Sequence, residues 1–173
     1  MNKFEIARQK YRPGLVRVAM VAESPPRDDS GRFFYFEDVD VGDSLFLELM
    51  KALYADAHGD AKAVRRRKAE YLARFRDDGF YLIDASQEPI AGESRAVKTR
   101  FIRAGLDQLQ RDLVEIQNED LKVVLISSLV YEICCEPLRQ AGFKVVNAEM
   151  IDFPGFGRQR EFQTKFSRIV DLL

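Results

Sequence analysis

The stretch Val16-Arg17-Val18-Ala19-Met20-Val21-Ala22, followed by Glu23-Ser24-Pro25-Pro26, constrains the fold more than any other part of the chain. A strand with one wet face alternates apolar and polar residues. A nearly unbroken apolar run instead reads as a strand covered on both faces, as in a parallel sheet flanked by helices. Pro25 and Pro26 carry no N–H for a ladder and fix their own φ near about −65°, so the strand is predicted to stop there. Glu23 then stands at its carboxyl tip. In open α/β sheets, ligands bind outside that edge. A strand-ending turn with a solvated glutamate fits the same residues, and both readings stand.

The rest of the chain repeats the theme. Strand patterns fall at Val16 to Ala22, Phe80 to Asp84, Lys122 to Ser127 and Lys144 to Ala148. Helical spacing covers Gly42 to Asp56, Ala61 to Arg76, Ser94 to Asn118, Ser128 to Ala141 and Arg158 to Leu173, with Gly142 suited to a helix C-cap. Strands alternating with helices predict an α/β fold, a three-layer α/β/α sandwich around a four-stranded parallel sheet. Residues 1–173 are expected to form a single domain, since no repeat or Gly/Pro/Ser-rich linker divides them.

Several function classes drop out. No apolar run approaches the ~20 residues of a membrane span, so no membrane partner is expected, and the amphipathic start from Met1 to Tyr11 lacks a signal-peptide core. Cys134 and Cys135 are adjacent, poor material for a disulfide or a four-ligand metal site, and a reducing cytoplasm fits them best. His58 is the one histidine and sits in an apparent helix link, which excludes a multi-histidine zinc centre. Neither a metal nor another cofactor is expected. A net charge of −1 gives no global attraction for nucleic acid, leaving that to local basic patches. Arg65-Arg66-Arg67-Lys68 reads as a solvated helix face. In the spaced set Arg95, Lys98, Arg100 and Arg103, the residues Arg95, Lys98 and Arg103 fall roughly along one side of a helix, which suits either phosphate contacts or plain solvation.

Three segments are predicted to meet at one edge of the sheet. Glu23 and Ser24, with Pro25, lead into Phe33-Phe34-Tyr35-Phe36, rings that offer a stacking surface for a planar ligand or simply fill the core. The second predicted strand delivers Asp84 and Ser86 to the same rim, as ligand contacts or as loop braces. Last comes Asp152-Phe153-Pro154-Gly155-Phe156-Gly157-Arg158-Gln159-Arg160. There Gly155 and Gly157 permit a tight turn before a helix, and Arg158 and Arg160 add charge for an anion. Phe153 or Phe156 supplies an apolar wedge between bases. A Pro-Gly turn before an amphipathic helix is also ordinary connection chemistry.

The ordered set of loops resembles the uracil-DNA glycosylase superfamily, α/β/α sandwiches that turn a damaged base out of DNA and cleave its N-glycosidic bond. Ala22-Glu23-Ser24-Pro25-Pro26 is similar to the Gly-Glu-Ala-Pro-Gly motif of one branch. Phe34, with Phe33 or Tyr35 as neighbours, falls where that family stacks an aromatic on the base. Asp84 falls where it reads the base with asparagine. Phe153 to Gly157 takes the place of the closing His-Pro-Ser motif and intercalating loop. Three departures stand out: Phe153 replaces the histidine, Asp84 replaces the asparagine, and the iron–sulfur cysteines of the branch are absent. An ionised carboxylate only accepts hydrogen bonds, which suits an amino-bearing base better than uracil.

The resemblance implies hydrolysis of a nucleobase N-glycosidic bond. Glu23 would activate water, Asp84 would read the base edge, and Arg158 and Arg160 would hold phosphates beside a flipped nucleotide. The partner would be DNA or a nucleotide; the oligomeric state is not legible. A non-catalytic nucleotide- or nucleic-acid-binding module on the same fold is the alternative. A doubly wound domain acting on a small metabolite is a third.

Overall fold

The computed structural model describes residues 2–27 and 31–173. Met1, at the head of the amphipathic stretch, lies outside them. Helix α1 (Lys3–Lys10) opens the chain behind a capping box. The Asn2 side chain accepts from the Phe4 and Glu5 N–H groups, and the Glu5 carboxylate accepts from the Asn2 N–H. Then come β1 (Val18–Ala22), α2 (Ser44–Leu53), a 3₁₀ turn (Ala55–Ala57), α3 (Ala61–Arg66), α4 (Lys68–Asp77) and β2 (Phe80–Asp84). The chain continues through α5 (Arg95–Glu115), β3 (Lys122–Leu125), α6 (Ser128–Gln140), β4 (Lys144–Val145) and α7 (Gln159–Val170).

The four strands are all parallel, in the order β2-β1-β3-β4. Every residue of β1 is buried, as an apolar run covered on both faces requires. Helix α2 packs on α7 and α5 on α6, helices placed around the sheet as in a three-layer sandwich. Because β2 and β3 lie on opposite sides of β1, the chain reverses its direction of travel across the sheet between β1 and β3. The loops leaving those two strands diverge and leave a crevice at their carboxyl ends.

Element ends shift by a few residues throughout, and two departures from the sequence pattern have a clear physical cause. The helix expected over Ala61 to Arg76 breaks at Arg67 (φ −105°, ψ 20°), and Lys68 directly after the break is buried against Asp43. Arg65 and Lys68 therefore turn inward, which corrects the reading of those two as part of a solvated face, while Arg66 and Arg67 stay exposed as read. The fourth strand, expected to reach Ala148, ends at Val145 because a side chain takes over its ladder. Asn147 Oδ1 accepts from the Leu125 N–H at 3.0 Å and its Nδ2 donates to the Leu125 carbonyl at 3.2 Å. The backbone then rejoins β3 through a single parallel bridge between Ile126 and Ile151.

Candidate functional site

A cleft of about 890 Å³ opens at the carboxyl edge of the sheet. It gathers Glu23, Ser24, Pro26 and Arg27 from the loop after β1; Arg32, Phe33 and Phe34 beyond it; and Gly42 to Phe46 at the start of α2. Asp84 ends β2 in its wall, Lys98 reaches in from α5, and Ser127 and Ser128 border it after β3. The late turn completes the rim with Asp152, Phe153, Gly155, Phe156 and Arg158. Segments more than a hundred residues apart thus share one hollow.

Glu23 faces Lys98 across this space, Lys98 Nζ donating to Glu23 Oε2 at 2.9 Å, with each side chain about a quarter exposed. The glutamate's backbone is fixed as well: the Ser86 N–H donates to the Glu23 carbonyl at 2.9 Å and the Ala85 N–H to the Ala22 carbonyl at 2.8 Å. These two bonds tie the β1 and β2 loops together. Ser24 lines the cleft while its Oγ accepts from the Ile90 N–H at 3.4 Å. Pro26 lines it too, whereas Pro25 is buried beneath the loop. This corrects the expectation that Pro25 would meet a ligand.

Asp84 is 3% exposed, and its Oδ2 accepts from the Arg8 guanidinium of α1. Burial pushes the Asp84 carboxyl up to about 6, although Arg8, by charge and by hydrogen bond, pulls the other way. The same guanidinium lies 5.6 Å from the Phe33 ring centroid. Arg8 stands 76 residues from Asp84 in sequence, and nothing in the helical pattern around it flags an inward-facing arginine.

The aromatic run divides its work. Phe33 and Phe34 line the cleft, but at 4% and 7% exposure they offer it little open surface. Phe34 packs against Tyr35, Phe46 and Phe75. Tyr35 does not reach the cleft. Its hydroxyl accepts from the Leu82 N–H at 2.7 Å and donates to the Leu82 carbonyl at 3.1 Å, covering the outer edge of β2, so its expected ligand role is corrected to a structural one. Ser86 is likewise turned away: its Oγ accepts from the Glu88 N–H and donates to the Glu88 carbonyl, bracing the loop.

The late turn is open. Phe156 is fully exposed in the left-handed region at φ +53°, and Phe153 is partly exposed beneath it. A Cβ at Gly155 would meet the Phe153 ring at 3.1 Å, so the tight turn needs glycine there. Arg158 reaches the cleft and pairs with Asp152 at 3.3 Å. Gly157 and Arg160 lie outside the lining, Gly157 serving the turn at φ +83° and Arg160 standing on the exposed side of α7, so neither contributes the anion contact expected of it.

Comparisons with protein-family models, with curated proteins and with solved structures find no match to this chain.

Two lining groups, Asp43 and Ser127, had no sequence signal, and Asp152 stood only as a member of the late segment with no role of its own. Asp43 accepts from Arg65 Nε at 2.8 Å and from the buried Lys68 Nζ at 3.4 Å. Burial holds Lys68 down to about 8 against the pull of Asp43. Ser127, the N-cap of α6, adopts φ +97°, ψ 145°, a region that glycine alone enters freely. Asp152 is clamped by Arg158 and by Lys165 at 2.7 Å. Glu23, Asp43, Asp84 and Asp152 thus each pair with a basic side chain, and Arg27 and Arg32 also line the rim. Among the described residues no group of three or more His, Cys, Asp and Glu side chains gathers to hold a metal ion, and no helix is long and apolar enough to cross a membrane.

Proposed function

We propose that the cleft takes a nucleobase turned out of DNA and that the chain hydrolyses its N-glycosidic bond, as the likeness to uracil-DNA glycosylases implies. The observation that carries this reading is the meeting of Glu23, Asp84 and the Phe153–Phe156 turn in one cleft at the switch point of a parallel sheet. Glu23, oriented by Lys98, directs a water at the anomeric carbon and stabilises the cationic sugar as the base leaves. Asp84, with Oδ2 held by Arg8, accepts an N–H from the base edge through its remaining lone pairs. Phe156 wedges into the gap left by the flipped nucleotide, and Arg158, Arg32 and Arg27 face the flanking phosphates.

No imidazole lines the cleft to meet charge on the departing base, which selects for bases that leave readily. Single-turnover release from duplexes carrying uracil, hypoxanthine, xanthine or an alkylated base is the test. Release by the wild type, reduced by about 10²-fold or more in Glu23→Gln, supports the reading. Release from none of them refutes it.

The pairing of Glu23 with Lys98 and of Asp84 with Arg8 favours a second reading, a non-catalytic DNA- or nucleotide-binding module whose acids are structural. Fluorescence anisotropy at two salt concentrations separates the two. Affinity that falls steeply with salt, with no base released, supports the module.

A further inference from the structure

Lys98 is the one lysine among the described residues that line the cleft, and its Nζ lies 2.9 Å from Glu23 Oε2, the carboxylate assigned to the anomeric carbon. It projects from the first turns of α5, next to a loop that Glu23 and Ser86 tie to the sheet, so its amine is held rather than waving in solvent. Both side chains stay about a quarter exposed to the hollow, so a ligand can reach them. An amine beside a carboxylate, at the place where a sugar aldehyde would stand, has the parts for imine chemistry.

We propose that the cleft carries a second activity, cleavage of DNA at abasic sites, with Lys98 as nucleophile and Glu23 as proton carrier. The inference rests on the reading of the cleft as a site for DNA. Glu23 accepts a proton from the Lys98 ammonium, and the freed amine adds to C1′ of the ring-opened abasic deoxyribose, forming a C–N bond. The aldehyde oxygen departs as water, taking one proton from the nitrogen and one returned by Glu23, and leaves a protonated imine. Loss of a C2′ proton to the Glu23 carboxylate sends an electron pair into a C2′–C3′ double bond, and the C3′–O bond breaks with the 3′ phosphate as leaving group. Water then hydrolyses the unsaturated imine and restores the amine. No oxidant, metal or cofactor enters the balance.

The test supplies the abasic site ready-made, so that it does not depend on base removal. The full chain is incubated with an abasic duplex and sodium borohydride, which reduces an imine to a stable amine, and covalent adducts are counted on a denaturing gel. The wild type is expected to trap, Lys98→Arg to trap at least tenfold less, and Lys62→Arg, an exposed lysine on α3, to trap as the wild type does. Peptide mapping of the wild-type adduct locates the modified lysine without any substitution. An adduct on Lys98 upholds the proposal. No adduct, an adduct on another lysine, or equal trapping by Lys98→Arg overturns it. Anisotropy with the same duplex tells the two failures apart: binding without an adduct defeats the lyase alone, and absence of binding defeats the DNA reading with it.

Discussion

The buried environment of Asp84 sets a pH dependence of stability with a definite sign. In the unfolded chain its carboxyl returns to the usual 3.8, whereas in the cleft wall burial lifts it to about 6 with Arg8 already in place. Between those values the folded state binds the proton more tightly than the unfolded state. Asp84 therefore stabilises the fold most when protonated, and that contribution is lost as pH rises through about 6. At about 1.4 kcal/mol per pH unit the full interval is worth about 3 kcal/mol, of which about 2 falls between about pH 4.5 and about pH 7.5. Asp84→Asn removes the titration and keeps an acceptor for Arg8. Urea unfolding of both proteins across that range, at fixed ionic strength, should show the variant gaining about 2 kcal/mol on the wild type as pH rises, levelling above about pH 6.5. A difference that stays flat to within about 0.5 kcal/mol would refute the assignment of a desolvated carboxyl at this position.

Other consequences follow from the packing. Phe34→Ala should cost about 3–5 kcal/mol in chemical denaturation, since its ring packs among Tyr35, Phe46 and Phe75. Phe156→Ala should leave stability within about 0.5 kcal/mol and weaken duplex binding several-fold in an anisotropy titration. Gly105→Ala should lower the melting temperature despite alanine's better helix propensity: a Cβ there meets the Ala85 carbonyl oxygen at 2.5 Å, and overpacking of about 1–3 kcal/mol outweighs about 1 kcal/mol of propensity. Ser127→Gly should raise unfolding free energy by up to about 1 kcal/mol, strain relief at φ +97° exceeding the entropic cost of glycine and the few tenths of a kcal/mol lost with the cap on Val130, whereas Ser127→Val should lower it.

The apolar run ending at Ala22 was enough to read a doubly covered strand, and the alternation around it enough to read a parallel sheet, because both signals are local periodicities. Glu23, Phe34, Asp84, Phe153 and Gly155 were legible as cleft residues for a related reason: each follows a strand or a turn signal, and parallel strands bring all such ends to one edge. What escaped was pairing across distance. Arg8 on α1 looks like any surface arginine until the fold sets it against Asp84. Lys68 reads as part of a basic face until the break at Arg67 turns it onto Asp43. Tyr35 and Ser86 failed as ligand contacts because a hydroxyl can satisfy backbone groups at a strand edge or loop as readily as it can meet a ligand.

Whether nucleic acid enters the hollow at all is tested most directly by photocrosslinking a duplex that carries one 5-iodouracil, a base that couples to aromatic rings in contact with it, and mapping the modified peptide. With the base turned into the cleft, the crosslink should fall on Phe33, Phe34, Phe153 or Phe156 and should vanish when unlabelled duplex competes. A crosslink confined to surfaces away from the Glu23 edge, or none where binding is saturated, would contradict the account.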